Sequence, residues 1–197
     1  IPKNDFIKIS ERVSYKDSGE NFELKSGKFN YNFKKSQLPF KKTIFLNASL
    51  VGFASELSLE HQIVGISSPE YIFSENILAK VKAGEIVDVG NEQKYDLEKI
   101  IALKPDAIFT NYIASFDNTY EVLKQNGITL IFLDEYLEQK PLEKSAYLLL
   151  FGKLFNKEKE ASAIFKNIKN NYDKLENLVK NSSNQPTILA NEMYGNQ

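Results

Sequence analysis

Cysteine is absent from all 197 residues. No thiol means no disulfide, no thiolate nucleophile and no zinc–thiolate site. The compartment stays open, because a chain of 22.5 kDa buries roughly 70% of its unfolded surface and needs no covalent staple. His61 is the single histidine. This excludes a histidine-rich metal site and leaves one candidate base for any Ser–His arrangement. Its place just before the apolar run at Ile63 suits a strand start better than catalysis. Arg12 is the only arginine among 25 basic residues, so a bidentate fork for phosphate or carboxylate is almost unavailable. No run of 18 apolar residues occurs, and the start lacks the charged and apolar regions of a signal peptide. The chain opens on Ile1 rather than Met and reads as processed or trimmed. With 25 basic against 26 acidic residues the net charge is −1, which gives no electrostatic reason to expect nucleic acid or an anionic membrane surface. Gly84-Glu85 and Gly90-Asn91 match neither a phosphate loop nor a dinucleotide fingerprint, and there is no nucleophile elbow and no HExxH.

What is present is ordinary globular composition, 42% hydrophobic and 26% charged. Phe6–Ser10 and Lys28–Phe33 alternate apolar and polar with period two around a turn signal at Asp17-Ser18-Gly19. That pattern predicts a small antiparallel hairpin or meander ending at Pro39. From Thr43 the pattern changes to continuous apolar runs: Ile44–Leu46, Ile63–Ile66, Asp106–Thr110 and Ile128–Leu133. Helical spacing separates them, over 50–57, 74–83, 96–103, 117–126 and 141–155. Such alternation predicts an α/β lobe whose parallel sheet is covered by helices on both faces. Asp96 is a candidate N-cap and Asn126-Gly127 a C-cap. Ala161, Ile164, Ile168, Tyr172, Leu175 and Val179 then form one amphipathic stripe. A helix over 157–181 would be about 36 Å long at 1.5 Å per residue. Ser182–Pro186 stops it, and Thr187–Ala190 reads as a strand that opens a second domain.

In open parallel sheets, ligands bind beyond the carboxyl ends of the strands. Here those ends carry Asn47-Ala48-Ser49, Ser67–Tyr71, Asn111-Tyr112 and Asp134-Glu135-Tyr136. Three of the four offer a tyrosine, whose ring and hydroxyl suit a large, partly polar ligand. The same residues are also common loop formers at a wet edge. Asp134, Glu135 and Glu70 offer oxygens that would suit a hard cation or acid–base work, or are simply solvated acids.

Three segments carry a family resemblance: Ile63-Val64-Gly65-Ile66-Ser67, Val87-Asp88-Val89-Gly90, and above all Asp96-Leu97-Glu98-Lys99-Ile100-Ile101-Ala102-Leu103-Lys104-Pro105-Asp106-Ala107-Ile108. With Asn126-Gly127-Ile128 and Leu148–Phe155, they resemble the first lobe of the helical-backbone (class III) substrate-binding proteins of ABC importers, which bind iron-siderophores, haem and cobalamin. The resemblance spans about 43–197. It implies two α/β lobes joined by one long helix, with the ligand between them and little motion on closing. Residues 1–42 would be an N-terminal β extension, 43–156 the ligand-binding lobe, 157–181 the linking helix, and 186–197 the first strand of the other lobe. The implied ligand-binding residues are Asn47, Ser49, Tyr71, Asn91, Tyr112, Tyr136 and Tyr194. Glu98 matches the acidic residue that docks on the permease; a glutamate in a first helical turn is also favoured by the helix dipole. The loop at Asn47–Leu50 lacks the histidine that some iron-binding relatives show, which leaves the ligand open. The implied role is capture without chemistry, metal or cofactor of its own. A ferric siderophore or haem ranks first and a corrinoid second. The chain would be a monomer, periplasmic or at the cell surface, held to the membrane through an upstream lipid anchor and partnered by permease subunits. The readings from other classes are a metal-dependent enzyme lobe using Asp134 and Glu135, and a signalling module without ligand.

Overall fold

Continuous apolar strands need cover on both faces, and the computed structural model, which describes residues 5–181, supplies it. Five parallel strands, β5 (Thr43–Phe45), β6 (Ile63–Ile66), β7 (Val87–Asp88), β10 (Ala107–Thr110) and β11 (Thr129–Phe132), lie in the order β11-β10-β5-β6-β7. Successive side chains point to opposite faces. Phe45, Phe109 and Ile131 therefore enter one core, while Ile44, Ile108, Leu130 and Phe132 enter the other. The first core is closed by α1 (Ala48–Glu56), α6 (Tyr147–Leu154) and the start of α7 (Glu158–Lys180). The second is closed by α3 (Leu97–Leu103) and α4 (Asp117–Gln125). Two further helices, α2 (Glu75–Lys82) and α5 (Pro141–Ser145), complete the lobe. The helical segment expected over 141–155 is thus two helices, α5 and α6.

The caps expected from sequence form. Asp96 accepts a hydrogen bond from the Lys99 backbone N–H at 3.1 Å, and that contact holds its carboxyl below the usual carboxylate range. Gly127 follows α4 with φ +75°, a conformation that favours glycine. Between β7 and α3 lies a two-residue hairpin, β8 (Gly90–Asn91) with β9 (Lys94–Tyr95), too short to show in periodicity.

The N-terminal region, expected as a hairpin or meander, is a meander of four antiparallel strands: β1 (Ile7–Lys8), β2 (Val13–Ser18), β3 (Asn21–Ser26) and β4 (Phe29–Lys34). Val13, Phe22, Leu24 and Phe33 join the first core of the lobe. Phe29 reaches the other side, packing against Phe132 with ring centroids 4.6 Å apart and the planes tilted by 38°. The sheet therefore wraps β11, the strand at the end of the parallel sheet. Between the two flanks the Phe132 backbone N–H donates to the Tyr31 hydroxyl at 2.8 Å. Exposed strand edges invite pairing with other chains, and a covered edge does not. Tyr31→Phe is expected to leave that amide unpaired at a cost of about 1–3 kcal/mol. A urea denaturation midpoint equal to that of the parent chain would contradict this.

Helix α7 spans 23 residues, about 35 Å. It begins packed: Ala161 is buried against Gly152 of α6. Its apolar stripe then emerges into solvent, with Leu175, Leu178 and Val179 all more than 60% exposed. The strand expected at 187–190, and with it Tyr194, lies outside the described residues.

Candidate functional site

The chain runs β5, β6, β7 in one direction across the sheet, then crosses to the far side of β5 for β10 and β11. The order reverses between β5 and β10, the place where open α/β sheets leave a crevice at their carboxyl ends. Asn47 follows β5 and Asn111 follows β10, and they meet directly across this reversal, the Asn47 amide donating to Asn111 Oδ1. Asn111 Nδ2 in turn donates to the Leu133 carbonyl at 2.6 Å and to Glu135 Oε2 at 3.0 Å. Ser49 donates its hydroxyl to the other oxygen of Glu135, and its backbone N–H reaches Asn47 Oδ1 at 2.8 Å. Asn111 and Glu135 are buried. Side-chain amides and a carboxylate thus bridge the middle of the edge and satisfy one another.

Two open depressions flank this bridge. One, of about 440 Å³, is lined by Asn47, Ser67, Ser68, Tyr71, Asn91 and Gln93. Its far wall is the β8–β9 hairpin, shaped by Asn91 Oδ1 accepting the Gln93 N–H at 3.0 Å. Gly90 permits that turn at φ +94°, where a Cβ would run into the Lys94 carbonyl oxygen. Tyr71 stands 66% exposed on the rim. The other depression, of about 620 Å³, is lined by Arg12, Lys28, Phe29, Tyr112, Asp134 and Tyr136, among others. There the Tyr112 N–H donates to Asp134 Oδ1 at 2.8 Å, and the Tyr112 hydroxyl to Asp117 at 3.2 Å. Beneath it Tyr120 accepts the Ile113 N–H at 3.3 Å. Burial pushes the Tyr120 phenol up to about 12, so it stays protonated at neutral pH.

The candidate residues named from sequence divide accordingly. Asn47, Tyr71 and Asn91 share the first depression, and Tyr112 and Tyr136 the second. Ser49 faces the bridge, and its hydroxyl is engaged by Glu135 rather than offered to a ligand. Glu70 lines the first depression and Asp134 the second; among the described residues no three acidic or histidine side chains gather as metal ligands would. Glu98 is exposed in the first turn of α3, beside a separate recess formed with Lys94, Tyr95 and Lys99. Three residues near the edge carry no signal in local pattern. Phe73 is 98% exposed two residues beyond Tyr71, and an apolar ring wholly in water was the signal available only after folding. Arg12 and Lys28 come from the N-terminal sheet, and nothing local in the sequence ties them to the strand ends.

The profile of the periplasmic binding protein family matches residues 44–196, and the chain belongs to that family. It is similar to a protein named Uncharacterized lipoprotein MJ0878 of Methanocaldococcus jannaschii, 27% identical over 157 residues, which covers 76% of this chain and 38% of the relative. Among solved structures it resembles the petrobactin-binding protein YclQ of Bacillus subtilis, with TM-score 0.62 and 20% identity over 82% of this chain and 54% of that one. It also resembles a periplasmic heme binding protein of Pseudomonas aeruginosa, with TM-score 0.57 and 17% identity over 72% and 47%. At such identities the two structures speak for the fold. The chain spans about half the length of these structures and less of the curated relative.

Proposed function

We propose that this lobe is one wall of a capture cleft in the substrate-binding component of an ABC importer, and that the cargo is a ferric siderophore or haem. The observation that carries the reading is the carboxyl edge itself: two open depressions either side of a satisfied bridge, one rimmed by Tyr71 and the other by Tyr136, each ring more than half exposed. Exposed aromatic rings at a concave edge cost solvation and gain it back on covering a large ligand. The family membership and the binding proteins named above support the same reading.

The opposite wall is a second lobe, and the uncovered stripe Leu175, Leu178 and Val179 on α7 is where it seats. Capture needs no bond-making: Tyr71, Asn91, Tyr112 and Tyr136 hold the ligand, with Tyr194 contributed from beyond α7. Asn47 acts as much through the bridge as through contact. Attachment through a lipid anchor, as the name of the archaeal relative suggests for that protein, would keep the loaded protein near its permease at the outer face of the membrane.

The experiment is tyrosine fluorescence quenching on the intact protein, titrated with ferric catecholate and hydroxamate chelates and with haem, backed by native mass spectrometry. Saturable quenching by at least one, weakened about tenfold or more in the Tyr71→Ala and Tyr136→Ala variants, is the expected result. Absence of binding to all of them rejects the cargo class. Glu98 provides a separate handle, because a rim charge orients a partner without touching the ligand. Glu98→Lys is expected to leave chelate affinity unchanged and to slow uptake in cells by several-fold; loss of affinity in that variant would place Glu98 in the pocket instead.

A further inference from the structure

We propose that Arg12 and Lys28 form a cationic wall of the cleft, built by the N-terminal sheet, which selects a chelate presenting anionic oxygens. The inference rests on the capture reading above and narrows its ligand. The acids of this depression already have partners. Glu11 pairs with Lys8 at 2.6 Å, which holds its carboxyl below the ordinary range. Asp134 accepts from the Tyr112 N–H, and its second oxygen makes a long ion pair with Arg12 Nη2 at 3.9 Å, beyond hydrogen-bond reach.

The two cations are less well served. Arg12 Nε is buried and has no hydrogen-bond partner, while about 33% of the side chain stays exposed along the depression. A guanidinium rarely gives up a donor that way, since an unpaired buried N–H costs about 1–3 kcal/mol. Lys28 is exposed, has no carboxylate within 4.0 Å among the described residues, and rests its ammonium 3.9 Å from the centroid of the Tyr112 ring. That contact aims the charge into the depression and leaves its protons free.

The placement of Arg12 is also fixed in advance. Its backbone N–H is held by the buried Glu138 at 3.2 Å. Its guanidinium lies over Gly27, where even a Cβ would sit 2.8 Å from Nη2. A planar fork held against backbone, beside a mobile point charge and the rings of Tyr112 and Tyr136, recognises carboxylate, catecholate or hydroxycarboxylate oxygens and gains nothing from an uncharged ligand surface.

The test uses the intact protein and three probes: a trianionic ferric tris-catecholate, haem with its two propionates, and an uncharged ferric trihydroxamate. The parent protein is expected to bind at least one anionic probe more tightly than the trihydroxamate. Arg12→Gln combined with Lys28→Gln should weaken the anionic probe tenfold or more and leave the uncharged one within twofold. Lys28→Gln alone, on an exposed side chain that cannot unfold the protein, should account for a several-fold part, and that part should shrink as salt is added. Preference for the trihydroxamate, or equal anionic affinity in parent and double variant, overturns the cationic wall and leaves capture standing. No binding by any probe overturns capture, and the wall with it.

Discussion

Replacing Gly152 by valine is expected to lower the stability of the lobe by about 3 kcal/mol or more, and replacing it by alanine by about 2 kcal/mol. Intrinsic helix propensity argues the other way, since alanine outranks glycine by about 1 kcal/mol inside a helix. Space decides the sign. A Cβ on Gly152 would lie 2.6 Å from the Ala161 Cβ and within 3.3 Å of the backbone at Lys157 and Glu158. None of these is the far end of a flexible side chain, so α6 and α7 would have to separate, and forced overpacking costs about 1–3 kcal/mol. The energy lost is a large part of the 5–15 kcal/mol that holds a domain folded. The crossing of α6 and α7 also sets the direction in which α7 leaves the lobe. Urea midpoints for the two variants order the effects, and an alanine variant more stable than its parent would show that the crossing relaxes at no cost.

Glu138→Ala is expected to cost about 3–5 kcal/mol. One oxygen of this buried carboxylate accepts from the Ser10 hydroxyl at 2.5 Å, the Arg12 backbone N–H at 3.2 Å and the Tyr147 hydroxyl at 3.0 Å. It ties the turn between β1 and β2 to the core helix α6. Burial, with the Glu138 charge adding to it, pushes the Tyr147 phenol well above its ordinary range, so it stays a donor. Removing the carboxylate leaves two buried hydroxyls and a half-buried backbone N–H without this acceptor, and a void beside them. Glu138→Gln keeps a carbonyl oxygen in place and should lose about half as much. Thermal or urea unfolding separates the two, and equal losses would mean that charge, not acceptor geometry, holds the turn.

The parallel lobe was legible because its strands are buried on both faces. Runs such as Ile128–Leu133 have no other use in a chain of this composition, and caps at Asp96 and Gly127 mark helix ends by local chemistry alone. The N-terminal sheet was legible only in kind. The period-two pattern at Phe6–Ser10 and Lys28–Phe33 pointed to a hairpin or meander and a meander forms, but β1 is only two residues long, so the number of strands was not fixed by the pattern. The site was legible to the level of the strand ends, because a sheet of this kind places its ligand there. What pattern did not carry was pairing across distance. Ser49 looked free until Glu135, 86 residues away, was folded against it, and Arg12 looked irrelevant until the N-terminal sheet wrapped β11. Those contacts depend on tertiary packing and leave no trace in local spacing.

The amide bridge of Asn47 and Asn111 divides the edge into halves that share no lining residue. Changes that retune one half, say at Tyr71, should therefore combine with changes at Arg12 as independent, additive increments in binding energy. A lobe partitioned like this can drift in specificity one side at a time, while the pinned amides at its centre keep the backbone from drifting with it.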